Sequence, residues 1–238
     1  VKGVFALKIE GLQKLTLLDY PGRLACTVFL AGCNLRCPFC HNAALVLPAE
    51  IATGEDIPRQ ELLGFLAKRR GVLQGVCVTG GEPLLSDEVF GLFADIKALG
   101  YQIKLDTNGT FPARLKRAVR EGLVDFVAMD IKNSPQSYAK TVGVTNFDLA
   151  PVRESAAFLL SGAVEYEFRT TVVNELHTAR DFEDIATWLA GAKAYFLQAF
   201  VDSGGLLQSG LHPANEAQMQ AYAAALRRTL PQVTIRGM

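Results

Sequence analysis

The chain has 238 residues, half of them hydrophobic, which is enough to bury a substantial core as one domain. Lys plus Arg equals Asp plus Glu at 24 each, so no global field draws the protein to nucleic acid or to an anionic membrane, and neither is expected as a partner. No apolar run approaches the roughly 20 residues of a membrane span, and the N-terminus lacks a basic, apolar, small-residue signal pattern, so a cytoplasmic protein is expected.

From Ala25 onward, short apolar runs alternate with amphipathic segments in an α/β rhythm. In chain order the pattern predicts a strand over 25–31, a helix over 59–70, a strand over 75–79, a helix over 87–99 and a strand over 102–107. It continues with a helix over 112–121, a strand over 124–131, a helix over 149–160, a strand over 164–173, a helix over 179–189, a strand over 194–200 and a helix over 214–229. In the second helix Ser86 is placed to cap the free amides, Val89, Phe90, Phe93 and Ile96 form the apolar stripe, and Gly100 ends it. Thr178 with Asp181 three residues later reads as a capping-box variant ahead of Phe182, Ile185 and Leu189.

Regular alternation implies right-handed crossovers, parallel strands and ligands at the C-terminal strand ends. Six such units suit an open partial barrel, although a flat doubly wound sheet has the same period. One domain is expected, with residues 1–24 as a lead-in, 25–200 as the barrel core and 201–238 as a C-terminal loop and helix. The stretch from Leu206 to Pro213, rich in Gly, Ser and Leu, reads either as a mobile rim loop or as a plain connector.

Of five cysteines, Cys33, Cys37 and Cys40 are crowded into eight residues after the first predicted strand, poor geometry for disulfides and good geometry for a metal centre. Thiolates are the usual ligands of iron-sulfur clusters, and a cuboidal four-iron cluster with three protein ligands keeps one iron open for a substrate or cofactor. The competing reading is a zinc site completed by His41 or a distant residue, but His41 directly follows Cys40, and chelating one ion with both would strain the loop. Cys26 and Cys77 lie inside predicted strands among apolar neighbours and read as ordinary buried cysteines.

A second motif, Thr79-Gly80-Gly81-Glu82-Pro83, follows the next strand. Read plainly it is a tight turn; read chemically, its glycines admit close backbone approach and Glu82 offers a carboxylate to an ammonium. The two motifs in this order resemble the radical S-adenosylmethionine (SAM) superfamily. Asp19 to Arg23, Cys37-Pro38-Phe39-Cys40-His41-Asn42, Asp106-Thr107-Asn108-Gly109 and Asp130-Ile131-Lys132 narrow the resemblance to its glycyl-radical-enzyme activating family, over about residues 15–173. Within that family the Leu18 to Gly22 stretch is most similar to the subgroup that activates anaerobic ribonucleoside-triphosphate reductase.

The resemblance implies a radical SAM core in which Cys33, Cys37 and Cys40 hold a 4Fe-4S cluster whose open iron chelates SAM. It also implies that Phe39, Gly80, Gly81, Glu82 and Pro83 contact the cofactor. Asp106, Thr107 and Asn108 would lie near its methionine and ribose, Asp130 and Lys132 would reach it from the next strand, and Arg169 would lie beside the adenosine. Read without the resemblance, Asp106 to Gly109 is an Asx-type turn and Lys132 a solvated tip. Gln198 stands where related activators carry a histidine. The implied partners are a flavodoxin or ferredoxin as electron donor and a glycyl-radical enzyme as protein substrate, whose glycine α-hydrogen is taken by a 5′-deoxyadenosyl radical. Two other functions remain open on the residues: a small radical SAM enzyme such as 7-carboxy-7-deazaguanine synthase, and a non-catalytic iron-sulfur electron carrier.

Overall fold

A computed structural model describes residues 7–202 and 204–238. The chain is α/β, with eight strands alternating with helices, and its residues gather into two compact units.

The first unit comprises Val1–Asn34, Ala44–Thr107 and Phe111–Val127, of which residues 1–6, the start of the lead-in, lie outside the described part. Its elements are β1 (Ile9–Thr16), β2 (Ala25–Leu30), α1 (Pro48–Thr53), α2 (Arg59–Lys68), β3 (Gly75–Gly80), α3 (Val89–Ala98), β4 (Gln102–Thr107) and α4 (Pro112–Arg120). The strands hydrogen-bond in the order β1-β2-β3-β4; β2, β3 and β4 are parallel, whereas β1 runs antiparallel to β2. The lead-in therefore contains a strand, and the expectation of parallel strands alone is corrected at this edge. Cys26, Val28, Leu30, Val76, Val78, Ile103 and Leu105 are fully or almost fully buried, as residues in a sheet covered by helices should be. α3 begins two residues later than the pattern predicts, and Ser86 Oγ accepts from the Glu88 amide at 3.3 Å, just ahead of the first helical turn.

The second unit comprises Leu35–Ala43, Asn108–Thr110 and Ala128–Met238. It holds the last three residues of β5 (Phe126–Asp130), then α5 (Tyr138–Val142), α6 (Ala150–Leu160), β6 (Glu165–Val172), α7 (Ala179–Trp188), β7 (Tyr195–Ala199), α8 (Glu216–Leu226) and β8 (Val233–Arg236). The strands follow one another in order, with parallel registers from β6 through β8. The C-terminal segment thus ends in an eighth strand beyond the predicted helix. The capping box at Thr178 forms with both of its bonds, and α8 opens on a second one between Asn215 and Gln218. Among the described residues no helix is long and apolar enough to cross a membrane.

Candidate active site

In the first unit the turn after β3 is built against the root of the cysteine loop. Gly81 N donates to Leu30 O at 2.8 Å, and Glu82 N donates to Gly32 O at 2.7 Å. A Cβ on Gly80, whose φ is +118°, would lie 2.3 Å from Leu30 O; one on Gly81 would lie 2.0 Å from Gly32 O. These glycines are demanded first by the neighbouring main chain. Pro83–Leu85 forms a single 3-10 turn, and the Glu82 side chain accepts from the Leu84 amide at 3.0 Å.

The same Glu82 oxygen accepts from Thr107 Oγ1 at 2.8 Å, which joins two residues expected at the site through a direct bond. Glu82 is only 1% exposed and spends one oxygen on structure, so the turn reading of the motif is correct as far as it goes. Asp106 is bound by Lys104 Nζ, which also lies 3.8 Å from Cys77 Sγ. Lys104 is among the most buried side chains and was missed from the sequence. Its signal was the alternation Gln102, Lys104, Asp106 between Ile103 and Leu105, which sets polar groups on one face of β4.

In the second unit the main chain folds Cys37-Pro38-Phe39-Cys40 into a turn, with Cys40 N donating to Cys37 O at 3.0 Å. Cys37 is buried, and burial pushes its thiol up to about 11 even though the Lys132 ammonium pulls the other way. Lys132 Nζ lies 2.8 Å from Asp130 Oδ2 and 6.0 Å from the Phe39 ring centroid, and Arg169 Nε binds the other oxygen of Asp130. Four expected site residues, Phe39, Asp130, Lys132 and Arg169, therefore converge beside Cys37. Burial opposes the charge on Asp130, but Arg169 and Lys132 outweigh it and hold the carboxyl far below its usual range. Burial likewise opposes the charge on Lys132, yet Asp130 holds it above the usual lysine range. Lys132 is a partner in a largely buried ion pair, not a solvated tip.

A further set of residues fixes this loop. His177, buried and kept neutral by desolvation, bonds the Lys132 carbonyl through Nε2 at 2.9 Å. Asp181 accepts from the hydroxyls of Ser134, Ser137 and Thr178. Nothing in the sequence pattern marked His177, because its partners are main-chain atoms. Asn108 forms the Asx turn, its Oδ1 accepting from Thr110 N at 3.0 Å and Thr110 Oγ1 at 2.6 Å. Gly109 follows at φ +76°, where a Cβ would meet the Met129 methyl at 2.2 Å. The 206–213 stretch is a pinned connector: Gln208 N donates to Pro38 O at 3.0 Å, Leu211 is buried, and His212 is bound by Glu175. Gln198 pairs with Thr171 and Arg236 in the strand registers.

All five cysteines are free thiols; Cys33 and Cys40 are partly exposed, and Cys26 and Cys77 are wholly buried. Burial raises Cys26 to about 12, as befits a core residue. Among the described residues no three His, Cys, Asp or Glu side chains are gathered as around one metal ion. A polynuclear cluster sets different spacing, because its thiolates bind different irons. Three free thiols in eight residues, with Cys37 and Cys40 on one turn, fit such a cluster, whose iron would have to overcome the burial that holds the Cys37 thiol up. Arg169 and Lys132 carry one positive charge more than the Asp130 carboxylate they share, which fits a ligand that brings a carboxylate.

The family model "Radical SAM superfamily" matches residues 27–189. A candidate glycyl-radical enzyme activating enzyme of Methanocaldococcus jannaschii is 30% identical over 198 residues, covering 81% of this chain and 79% of that protein. A 7-carboxy-7-deazaguanine synthase of Hyperthermus butylicus is 37% identical over 95 residues, 40% of this chain and 38% of its own length. The pyruvate formate-lyase-activating enzyme of Listeria monocytogenes is 30% identical over 165 residues, 64% of this chain and 63% of its own. Among solved structures, Streptococcus suis SuiB bound to S-adenosylmethionine superposes with a TM-score of 0.64 at 14% identity, covering 86% of this chain and 48% of SuiB. That likeness shows the fold.

Proposed function

Because the chain belongs to the radical SAM superfamily and is a homologue of the glycyl-radical enzyme activating enzymes, we propose that it cleaves SAM reductively and installs a glycyl radical on a partner enzyme. The observation that carries this reading is the convergence of Phe39, Asp130, Lys132 and Arg169 beside Cys37. The partner we favour is an anaerobic ribonucleoside-triphosphate reductase, on the strength of Leu18 to Gly22, with a flavodoxin or ferredoxin supplying the electron and the whole chain acting as one radical SAM domain. Against a deazaguanine synthase, the coverage of the activating-enzyme relative is twice as long.

In this reading Cys33, Cys37 and Cys40 hold a 4Fe-4S cluster. With SAM bound, such a cluster would supply the electron for reductive cleavage of the sulfonium. Lys132 and Asp130 are fixed by each other, by Arg169 and by His177, and would reach the cofactor together as one held group from the end of β5. Phe39 shields that charge pair from water with its ring. Glu82, held by Leu84 and Thr107 through one oxygen, would offer its carboxylate to the cofactor ammonium, and Arg169 would lie beside the adenosine.

The test is anaerobic cluster reconstitution, reduction with dithionite, and assay of 5′-deoxyadenosine with and without the reductase. Formation of 5′-deoxyadenosine that is lost in Cys37→Ala, together with a glycyl-radical EPR doublet on the reductase, supports the reading. A reconstituted cluster that never cleaves SAM overturns it in favour of an electron carrier.

A further inference from the structure

Lys104 lies in the first unit on the face of β4 that also carries Gln102 and Asp106. Parallel register sets it beside Cys77 of β3, and Cys77 beside Thr27 of β2, so the lysine stands within the sheet and not at an edge. Cys77 and Thr27 are buried, and the Lys104 side chain is itself only 2% exposed. Its ammonium binds Asp106 Oδ1, one alternation closer to the strand end, and lies 3.8 Å from the Cys77 sulfur. The Asp106 side chain is 11% exposed, so what access the pair has is through the carboxylate.

A buried ion pair is a poor device for holding a strand. Desolvation offsets most of its Coulomb attraction, and apolar side chains of similar volume serve packing as well or better. The benefit of the ammonium is therefore local to Asp106: it favours the charged carboxyl against burial and fixes the direction of its oxygens. Glu82, in the turn after the neighbouring strand, is held differently. Leu84 N and Thr107 Oγ1, both neutral donors, share one of its oxygens, and Thr107 is the residue next to Asp106. A carboxylate held by neutral donors keeps its net charge for a cation. One offset by an ammonium retains its acceptor geometry without net charge, which suits neutral donors such as hydroxyls.

We infer that Lys104 is a positioning residue for SAM, acting through Asp106, whose carboxylate it holds charged and in one orientation at the end of β4 to accept from the ribose hydroxyls. This rests on the proposed function, in which Asp106 lies near the methionine and ribose of the cofactor.

The experiment uses the whole chain, with SAM affinity measured by isothermal titration of the reconstituted enzyme and carboxyl ionisation read by infrared difference spectra of the cluster-free protein. Lys104→Met and Asp106→Asn should each weaken SAM binding about tenfold, and the double variant no more than either alone, because the lysine acts through the aspartate. At neutral pH Lys104→Met should gain a protonated-carboxyl band that the native protein and the double variant lack. A 2′,3′-dideoxy analogue of SAM should bind the native enzyme and both single variants alike. Additive losses in the double variant make Lys104 a structural residue and overturn the inference, as does native-strength SAM binding by Asp106→Asn. Removing one partner of a buried pair strands the other, so Lys104→Met is the variant at risk of not folding. In that event the double variant, which buries no charge at either position, decides: loss of SAM affinity with none for the dideoxy analogue is expected, and native affinity for SAM overturns the inference. Failure of these variants to differ from a native enzyme that binds SAM removes the inference and leaves the function intact. A native enzyme that binds no SAM removes both.

Discussion

Asp130 accepts Lys132 Nζ at 2.8 Å on one oxygen and Arg169 Nε on the other. One carboxylate thus holds two cations, Lys132 just past the end of β5 and Arg169 within β6, and all three groups are largely buried. Removing the anion strands two like charges. Asp130→Asn should cost about 3 kcal/mol of stability, the scale for breaking a buried pair from one side. Asp130 has its acidity raised by folding, so its contribution is full above the ordinary carboxylate range and is lost as pH falls below it. Urea unfolding at neutral pH should show the deficit, and the gap between native and variant should shrink in acid.

Glu82→Gln separates structure from charge. The amide keeps an oxygen for Leu84 N and Thr107 Oγ1, so the melting temperature should move by only a few degrees. If the carboxylate receives the SAM ammonium, affinity for SAM should drop by about tenfold or more, the worth of a charge-assisted bond. Isothermal titration of the reconstituted variant decides this, and unchanged affinity would return Glu82 to a purely structural role.

Gly81→Ala should prevent accumulation of folded protein, because its Cβ would lie 2.0 Å from a main-chain oxygen that is itself hydrogen-bonded. Gly122→Ala is the matched control: its φ is +67° but nothing lies within 4 Å, so only the left-handed strain of about 1–2 kcal/mol remains. Soluble yield and thermal melts compare the two.

Thiol alkylation in the metal-free, reduced protein should divide the cysteines. Cys33 and Cys40 are partly exposed and should react first with iodoacetamide; Cys37, with its thiol near 11, should lag, and Cys26 and Cys77 should react only on unfolding. Peptide mass mapping over time gives the order, and rapid labelling of Cys37 would contradict the burial described for it.

Glu175 titrates at about 2, first because the His212 amide bonds it and also through the His212 ring. In His212→Ala the ring bond is lost and the Glu175 carboxyl should titrate closer to its ordinary value, read by carbon NMR of the labelled side chain. The clasp on the 206–213 segment should therefore loosen only in strong acid, as the carboxylate is protonated.

The six strands and six longer helices are legible in the sequence because each carries a full repeat of its period. β1 escapes because two register shifts, between Ile9 and Gly11 and between Gln13 and Thr16, break its alternation. β8 has four residues and α5 has five, too few for either period to show. The site is legible where motif residues carry charge, as at Asp130, Lys132 and Arg169. It is not legible where the partner is main chain, as at His177, or where a lysine is hidden in a strand, as at Lys104. The glycines of the Gly80–Pro83 turn suggest close approach of a ligand, and their first constraints are the main chain of Leu30 for Gly80 and the carbonyl of Gly32 for Gly81.

Two amide-to-carbonyl bonds, Gly81 to Leu30 and Glu82 to Gly32, pin the start of the cysteine loop to a turn that is itself locked onto β3. Residues 30–32 are thus tied down by main-chain bonds that call on no side chain, and hydrogen exchange at Gly81 and Glu82 should be slow in protein prepared without iron and sulfide and change little on reconstitution.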